Sequence, residues 1–310
     1  MQARSHKFSD GRPAAAKDRW LVRGLVAAAL LLALALGWER VRQPPWTGDV
    51  PFVPTRPLVV DAMLDLAGAG PGDRVLDLGS GDGRIVIRAA ERFGARGRGL
   101  EIDPRLVSES RRRAAAAGVG HLVEFVEGDL FEADLDGASI VTLYLLPTVN
   151  LALRPKLLAE LEPGTRVVSQ TFDMAEWQPD DRRRVAVDPP ADLYLWIIPA
   201  AAGGLWRLES EEPDGLAGMG GAVSLRLEQS FQRLDGELVL ASGAWVPVTG
   251  TVTGRDVLIE TARGPRGDGV NLRFEAHLAG ERLQGRAAWQ DGSRPLPWTA
   301  RRVEACCWSR

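Results

Sequence analysis

The stretch Val75-Leu76-Asp77-Leu78-Gly79-Ser80-Gly81-Asp82-Gly83 decides the fold. Its first half is apolar apart from one acid, which is typical of a short buried strand, and its second half is a glycine-rich turn. Helical spacing resumes directly afterwards, with apolar residues recurring between Ile85 and Ala90. A strand that enters a helix through such a turn allows the backbone to approach a ligand closely at the carboxyl end of a parallel sheet.

The spacing of the glycines argues against a dinucleotide as that ligand. The turn reads G-x-G-x-G, whereas the dinucleotide fingerprint needs its third glycine one position later, where this chain has Arg84. Asp77 and Asp82 flank the turn, and carboxylates at these positions would repel a pyrophosphate. We therefore expect a ligand that carries positive charge and no phosphate.

Further acids follow the next two predicted strands. Glu101 lies about 20 residues beyond the turn, where a carboxylate accepts hydrogen bonds from both ribose hydroxyls. Asp129 ends the following strand at the same sheet edge, where it would meet an adenine amino group. A nucleoside with a cationic group, such as S-adenosylmethionine, meets these demands. Taken singly, each acid has the alternative interpretation of a helix cap or a turn former.

Strands and helices alternate on both sides of the turn. Helices are predicted over Leu58–Ala67, Pro104–Ala117 and Leu151–Leu161. Strands are predicted over Arg74–Leu78, Arg98–Ile102, Val123–Val126, Ser139–Leu145 and Arg166–Gln170. This alternation indicates a doubly wound, Rossmann-like α/β sheet with parallel strands, which we assign to residues 58–200.

Beyond residue 200 the apolar period changes to two, which indicates a second domain over residues 205–303. Apolar and polar residues alternate from Val223 to Glu228, and Asp235-Gly236 carries a hairpin signal. Short strands separated by glycine turns predict a small antiparallel barrel or sandwich. We expect its tryptophans to fill the core, and a ligand pocket in a barrel mouth is the alternative. The tryptophans in question are Trp206, Trp245, Trp289 and Trp298.

The composition limits the classes of function. The chain has 310 residues, of which 45% are hydrophobic and 25% charged, so it is not disordered as a whole. A net charge of -3 leaves no basic surplus for nucleic acid. The only cysteines, Cys306 and Cys307, are adjacent, and the three histidines are far apart in sequence, so we expect neither a disulfide nor a metal site.

The N-terminus predicts a membrane attachment. A basic segment, residues 1–20, precedes the apolar run from Leu21 to Trp38, which fits an uncleaved transmembrane helix or the core of a cleaved secretory signal. A buried core helix is a third interpretation. If the helix is an anchor, the positive-inside rule places the rest of the chain outside the cytoplasm. Residues 39–57 are a linker that contains proline and tryptophan.

These motifs resemble a known family. The turn Asp77–Gly83 and the acids Glu101 and Asp129 resemble the seven-stranded class I methyltransferases that use S-adenosylmethionine, over about Pro51 to Asp180. A closer resemblance comes from four further motifs, and it is to the membrane-anchored lysine methyltransferases that modify the ATP synthase c-subunit and the adenine nucleotide translocase. The motifs are Pro51-Phe52-Val53-Pro54, Gly128-Asp129-Leu130, the run Glu162–Ser169 and Trp177-Gln178-Pro179. The pattern departs from that family at Phe131, where a tryptophan is usual, and in the added β-domain.

The resemblance implies a cofactor site and a protein substrate. The implied cofactor-binding residues are Phe52, Pro54, Thr55, Asp77, Gly79, Ser80, Gly81, Asp82, Gly83, Glu101, Asp129 and Leu130. The segment Phe52–Thr55 would close over S-adenosylmethionine, and the methyl acceptor would be a lysine. Tyr144, at the end of the fourth strand, is the candidate for shaping the acceptor site, with a core aromatic as the alternative. Methylation of a small molecule or lipid, and non-catalytic nucleoside binding by an exported protein, stay open.

Overall fold

The computed structural model describes residues 52–210, 217, 221–262, 271–292 and 294–305. These residues belong to a compact unit, Val50–Arg310, that contains a mixed sheet and a barrel. Among these residues, no helix combines the length and the hydropathy needed to cross a membrane. The predicted membrane segment, Leu21 to Trp38, and the cysteines Cys306 and Cys307 lie outside the described residues.

The first domain is a seven-stranded sheet flanked by helices. Its helices are α1 (Pro57–Leu66), α2 (Arg84–Phe93), α3 (Pro104–Ala116) and α4 (Pro147–Glu160). Its strands are β1 (Arg74–Leu78), β2 (Arg96–Glu101), β3 (Val123–Glu127), β4 (Ile140–Leu143), β5 (Arg166–Gln170), β6 (Asp181–Val185) and β7 (Ala191–Ile197). The strand order is β3-β2-β1-β4-β5-β7-β6, so the chain reverses its winding direction between β1 and β4.

The doubly wound sheet is confirmed, but it is not wholly parallel. Strands β1 to β5 pair in parallel, whereas β7 runs antiparallel to both β5 and β6. Neither β6 nor β7 was predicted from the sequence. Asp181–Val185 is a charged edge strand without an apolar face, which hides it from a search by hydrophobic periodicity. The central strand β4 is buried along its whole length, as expected for a parallel strand covered on both faces.

The second domain is a closed eight-stranded antiparallel barrel, so the barrel alternative is confirmed over the sandwich. Its strands are β8 (Gly204–Glu209), β9 (Ala222–Ser230), β10 (Arg233–Leu240), β11 (Trp245–Thr253), β12 (Asp256–Thr261), β13 (Leu272–Ala279), β14 (Arg282–Trp289) and β15 (Leu296–Ala305). Consecutive strands pair, and β15 closes the barrel on β8. Apolar side chains such as Leu225, Leu238 and Phe274 form its buried core.

Two expectations for the barrel were wrong. Asp235-Gly236 does not form a hairpin turn, because both residues lie inside β10 and the turn falls at Phe231-Gln232 instead. Gly236 allows β10 to lie close to β9, since a Cβ there would be 2.0 Å from the Arg226 carbonyl oxygen. Trp245 is 53% exposed at the start of β11, unlike the other three tryptophans, which are buried as predicted.

The barrel docks on the sheet domain through backbone contacts and an ion pair. Ala200, between the two domains, donates its N–H to the Gly254 carbonyl at 2.6 Å. Gly254, in the β11–β12 turn, lies so close to Gly164 that an added Cβ would be 3.2 Å from the Gly164 Cα. Beside this contact, Arg255 pairs with Glu162 at 2.9 Å. A side chain at Gly254 would therefore disturb the domain junction.

A second contact joins the β9–β10 turn to the loop that follows β5. Gln232 Nε2 donates to the Gln178 carbonyl at 3.1 Å and to Asp180 Oδ2 at 3.0 Å. The Phe231 ring packs against Trp177, and the Arg154 guanidinium of α4 lies 5.5 Å from the centre of the same ring. The barrel thus touches a loop that leaves the carboxyl edge of the sheet.

Candidate functional site

The glycine-rich turn after β1 is held in a conformation that only glycine adopts easily. Gly79, Gly81 and Gly83 have φ angles of 77°, 54° and 77°, in the left-handed region. The Gly79 and Ser80 N–H groups both donate to the Leu100 carbonyl at 2.9 Å, which fastens the turn to the end of β2. Gly83 then caps α2. The predicted strand–turn–helix is therefore confirmed.

The turn also leaves no room for side chains at its glycines. A Cβ at Gly79 would lie 2.8 Å from Leu145 Cδ2, and one at Gly81 would lie 2.3 Å from the Phe52 ring. The Ser110 hydroxyl of α3 donates to the Gly81 carbonyl at 3.0 Å and supports the turn from behind. The turn is thus a rigid surface over which Phe52 packs.

Asp77 is a buried acid at the end of β1 with one protein partner. It is only 2% exposed, and Thr142 Oγ1 donates to its Oδ1 at 2.7 Å. Its Oδ2 receives no hydrogen bond from the residues that the structure describes. Burial, opposed by the Thr142 hydrogen bond and reinforced by the charges of Glu101 and Asp82, raises the pKa of Asp77 to about 7. A cationic ligand would satisfy this carboxylate.

Asp82 differs from the expectation that it faces the ligand as a bare acid. Arg84 donates to both Asp82 oxygens, at 2.8 and 2.6 Å, and Arg113 of α3 donates to Oδ2 at 2.6 Å. Burial opposes ionisation of this carboxyl group, but the two guanidinium groups outweigh it and lower the pKa of Asp82. Asp82 is therefore neutralised by arginines, and its side chain ties the turn to α2 and α3.

Glu101 ends β2 beside the turn, as predicted, and is already engaged with the backbone. Its Oε2 accepts the Gly81 N–H at 2.8 Å, while Oε1 accepts those of Ile102 and Asp103 at 2.9 and 3.0 Å. A carboxylate has about four acceptor positions, so three backbone donors leave about one for a ligand. Glu101 was expected to accept hydrogen bonds from two ribose hydroxyls. It has room for only one of them, unless one of the three backbone donors is displaced.

Asp129 and Leu130 follow β3 at the same edge. Asp129 Oδ1 accepts the Phe131 N–H at 2.9 Å, and the Asp129 carbonyl accepts the Glu132 N–H at 3.0 Å. The turn-forming interpretation of Asp129 thus applies, and it leaves Oδ2 without a hydrogen bond among the described residues. The β2 and β3 ends are joined directly by the bond from the Gly128 N–H to the Glu101 carbonyl, 3.0 Å long.

The segment Phe52–Thr55 is fastened at its last residue, Thr55, by two hydrogen bonds. Thr55 is buried, and its hydroxyl donates to Gln170 Oε1 at 2.9 Å, at the end of β5. Arg84 Nη1 donates to the Thr55 carbonyl at 2.6 Å, so the arginine that neutralises Asp82 also holds this segment. Pro54 lies between these contacts and the exposed Phe52. The arrangement agrees with a segment that covers a ligand on the turn.

The far side of the edge holds Tyr144 and a polar cluster that the sequence analysis missed. Tyr144 follows β4 and is partly buried. Asn150 of α4 is fully buried, and its Nδ2 donates to Ser169 Oγ at 3.0 Å and to the Phe172 carbonyl at 3.2 Å. Thr171, between these partners, has a φ of 70°, which is unusual for a β-branched residue. Because Ser169 pairs with Leu143, this strained loop and Tyr144 follow neighbouring strand ends.

Other residues that matter at the site were also missed. Thr142, Gln170 and Arg113 each hold a site residue through a side-chain hydrogen bond, yet they stand 31 to 115 positions away from their partners. The available signal was a polar residue at a buried strand position, as in Thr142 within Ile140–Leu143 and Gln170 at the end of Arg166–Gln170. Such a residue needs a buried partner.

Comparison with known proteins finds similarity to methyltransferases. The family model of the ANTKMT methyltransferase domain matches residues 77–181, and this match ends before β8. A protein-lysine N-methyltransferase of Saccharolobus islandicus is 44% identical over 151 residues, which are 48% of this chain and 94% of that protein. The adenine nucleotide translocase lysine N-methyltransferase of Mus musculus is 39% identical over 159 residues, which are 49% of this chain and 69% of the relative.

A solved structure is similar to about half of the chain. It is a crystal structure described as an RNA methyltransferase from Salinibacter ruber, in complex with S-adenosyl-L-homocysteine. It is 58% identical to this chain, with a TM-score of 0.45, and the match covers 47% of this chain and 94% of the other. About half of this chain lies outside each of these three matches.

Proposed function

This chain belongs to the family of S-adenosylmethionine-dependent protein-lysine N-methyltransferases, and we propose that it methylates the side-chain amine of a protein lysine. The observation that carries the assignment from the family to this chain is the state of Asp77. A buried carboxylate with one hydrogen bond and a pKa raised to about 7 stands beside a turn of three left-handed glycines. Above this pH the carboxyl group is ionised in a buried position, and a bound cation would stabilise it.

The residues present fit S-adenosylmethionine. Asp77 offers a charge for an ammonium group, and Glu101 and Asp129 offer acceptor oxygens at the next two strand ends. Gly79 and Gly81 let the turn pack closely against Leu145 and Phe52, with which any Cβ at these positions would collide. Asp82 is paired with two arginines. It would therefore contribute by holding the turn in its conformation, and not by attracting the ligand with its charge.

The chemistry is a methyl transfer between two heteroatoms. Asp77 and Glu101 would hold S-adenosylmethionine, which would supply a methyl group on a positively charged sulfur; the amine lone pair would form the new carbon–nitrogen bond while the electron pair of the broken carbon–sulfur bond stays on sulfur. A lysine amine with an ordinary pKa of about 10.4 must first release its proton to solvent. The protein therefore has to align the two partners and to favour the neutral amine.

The chain's own residues account for both tasks. The segment Phe52–Thr55, fastened by Arg84 and Gln170, covers the turn and keeps water away from the reacting groups. Tyr144 and the loop around Thr171 lie on the side from which a lysine would enter. Partial desolvation on this side lowers the pKa of an incoming ammonium group. We assign to Tyr144 the role of shaping this acceptor site.

Labelled methyl transfer tests the proposal. Purified full-length protein is incubated with S-adenosylmethionine carrying a deuterated methyl group and with membranes and soluble extract of its source. We expect the label in protein, on lysine side chains identified by mass spectrometry. The Glu101→Ala variant should lose this labelling while Glu124→Ala, an exposed change on β3, keeps it. Label confined to lipid, RNA or small molecules would show that the acceptor is another class of compound.

We also propose that residues 21–38 anchor the protein in a membrane with the methyltransferase domain outside the cytoplasm. The support is the charge bias of the sequence: six basic residues and two acids precede Gly24 within the first 23 positions. A reporter active only in the cytoplasm, fused after Arg310, should be inactive. An active reporter would reverse the orientation, and a soluble, shortened product would support a cleaved signal.

A further inference from the structure

The loop that joins β5 to β6 runs from the site to the barrel. It comprises residues 171–180, and we call it the strap. It begins directly after Gln170, at the carboxyl edge of the sheet, and ends at Asp180, whose N–H donates to the Leu195 carbonyl of β7 at 2.7 Å. The strap thus connects the acceptor side of the site with the contacts that the barrel makes.

At the site end, the strap opens with a strained turn. The Phe172 N–H donates to the Gln170 carbonyl at 2.9 Å and closes a three-residue turn around Thr171, whose φ is 70°. A turn of this kind, a γ-turn with a positive φ, is rare and strained. Asn150 Nδ2 and Ser169 Oγ both donate to the Phe172 carbonyl, at 3.2 and 2.7 Å. These two buried side chains offset the strain and fix the direction in which the strap leaves β5.

In its middle, the strap is held by Arg154 of α4. Arg154 Nη1 donates to the Met174 carbonyl and to Glu176 Oε2, both at 2.8 Å. Arg154 follows Asn150 by four residues, so the two side chains lie on the same face of α4, one turn apart. One helix face therefore holds both the strained turn and the middle of the strap.

At its far end, the strap contacts the tip of the barrel hairpin β9–β10. The Phe231 ring stacks on Trp177, which is fully buried, and its centre lies 5.5 Å from the Arg154 guanidinium. Gln232 Nε2 donates to Asp180 Oδ2 at 3.0 Å and to a backbone carbonyl of the strap at 3.1 Å. The barrel thus contacts both the strap and the arginine that fixes its middle.

Another barrel contact provides a comparison because it does not involve the strap. Arg255, in the β11–β12 turn, pairs at 2.9 Å with Glu162, which lies between α4 and β5. Loss of this ion pair removes a contact between the domains and leaves every strap contact in place.

The site end of the strap lies on the acceptor side. Ser169 pairs with Leu143, so Thr171 and Tyr144 follow neighbouring strand ends. Methyl transfer requires the amine, the methyl carbon and the sulfur in line, and a displacement of about 1 Å costs up to about 100-fold in rate. A strained turn keeps its place only while its surroundings hold it. The position of this turn therefore depends on the contacts along the strap.

We propose that the barrel positions the acceptor side of the site. Phe231 fixes the strap through Trp177 and Arg154, and the strap fixes its strained turn beside the incoming lysine. Phe231, Arg154 and Asn150 are positioning residues in this arrangement, since each acts through the strap. The coupling between the barrel and the turn is independent of the proposed function, whereas its effect on a lysine rests on that function.

Hydrogen exchange measured by mass spectrometry tests the coupling without catalysis. In full-length Phe231→Ala protein, we expect the backbone N–H groups of residues 171–176 to exchange at least about tenfold faster than in the wild type, because the strap opens locally. The buried strand β4 is the internal reference that separates local opening from global unfolding. Phe231→Tyr, which keeps the ring, and Arg255→Gln, which removes the ion pair outside the strap, should exchange as the wild type does.

Three results of this measurement would overturn the proposal. The first is unchanged exchange of the strap in Phe231→Ala. The second is exchange that rises equally in the strap and in β4, since it would show only a less stable protein. The third is an equal rise in Arg255→Gln, which would show that Phe231 has no particular part in holding the strap.

A double-mutant cycle tests the route, and its probe is a synthetic peptide carrying a lysine labelled in the extract experiment. Asn150→Ala and Phe231→Ala should each lower kcat/KM for this peptide about tenfold. If both act through the strap, the double variant should lose little more than either one, whereas independent effects would multiply to about 100-fold. The multiplied loss would overturn the strap as the route. Asn150→Ser replaces Asn150→Ala if the latter protein does not fold.

Cofactor affinity separates positioning from a general disturbance of the domain. In Phe231→Ala, the Kd for S-adenosylmethionine should stay within about twofold of the wild-type value while kcat/KM for the peptide falls. Arg255→Gln should leave both quantities unchanged. A loss of cofactor affinity as large as the loss in kcat/KM would overturn the selective effect on the acceptor. If the wild type labels no lysine, the proposed function fails, and hydrogen exchange still decides the coupling.

Discussion

The ring of Phe231 stacks on the indole of Trp177, with centroids 5.9 Å apart and planes inclined by 13°. Phe231 lies at the tip of a barrel hairpin, and Trp177 lies in the loop that leaves the carboxyl edge of the sheet. Phe231 adopts a φ of 52°, a conformation that costs a non-glycine residue about 1–3 kcal/mol. The stacking on Trp177 offsets that strain and joins the two domains.

Phe231→Ala should therefore lower the free energy of unfolding by about 1–3 kcal/mol, because it removes the ring and keeps the strained backbone. Phe231→Tyr, which retains the ring, is the matched control and should unfold as the wild type does. Urea unfolding followed by tryptophan fluorescence measures both. Equal stability of the alanine variant and the wild type would show that this contact does not hold the domains together.

Asp77→Asn should separate stability from cofactor binding. In the folded protein the pKa of Asp77 is about 7, against 3.8 for the unperturbed group, so the folded state holds a proton that the unfolded state has lost between these values. This stabilisation is complete below about pH 4 and disappears as the pH rises through about 7. The asparagine side chain cannot ionise, so the variant does not lose stability over this pH range. Its melting temperature without cofactor should exceed that of the wild type at pH 8 by several degrees.

Binding of S-adenosylmethionine should show the opposite dependence on Asp77. The wild type should bind more tightly as the pH rises through about 7, because the carboxylate must ionise to meet a cation. Asp77→Asn should bind weakly and with little pH dependence over the same range. Calorimetry between about pH 5 and 7.5, below the pKa of about 7.7–8.0 of an α-amino group, measures both while the ammonium group of the cofactor stays mostly charged. A wild-type affinity that is flat with pH would contradict this role.

Glu101→Ala should weaken cofactor binding by about 10–100-fold, which is the effect of losing one hydrogen bond to a charged group. The backbone N–H groups of Gly81, Ile102 and Asp103 would also lose their acceptor, so the turn itself would loosen. Glu101→Gln is the informative comparison, since its amide oxygen keeps part of that network. If the glutamine variant binds as tightly as the wild type, the charge of Glu101 has no part in binding.

Gly285→Ala should prevent the barrel from closing, because its Cβ would lie 1.8 Å from the Glu275 carbonyl oxygen in the neighbouring strand. We expect insoluble protein or a loss of several kcal/mol of stability. Gly72→Ala, which meets nothing within 4 Å, is the control and should be neutral. Circular dichroism and thermal unfolding distinguish the two. A soluble Gly285→Ala protein with wild-type stability would contradict the close strand approach.

The parts that local sequence predicts well are those decided by periodicity and by glycine. The strand–turn–helix over Arg74–Phe93 follows from both signals and is present as expected. Asp82 shows the limit: its acid character was visible, but its neutralisation by Arg113 depends on a residue 31 positions away. Asp235-Gly236 shows another limit, since the same dipeptide serves a hairpin turn or a close strand approach, and only the pairing register decides.

The barrel cannot close until its last strand has been made. β8 begins seven residues after the sheet ends at Ile197, but one of its partners, β15, runs to Ala305. At typical rates the ribosome needs roughly 5–20 s to make the intervening chain. During that interval the methyltransferase sheet is complete while β8 exposes an unpaired edge. Translation therefore delivers a finished catalytic domain first, and a barrel that closes only when its final strand has been made.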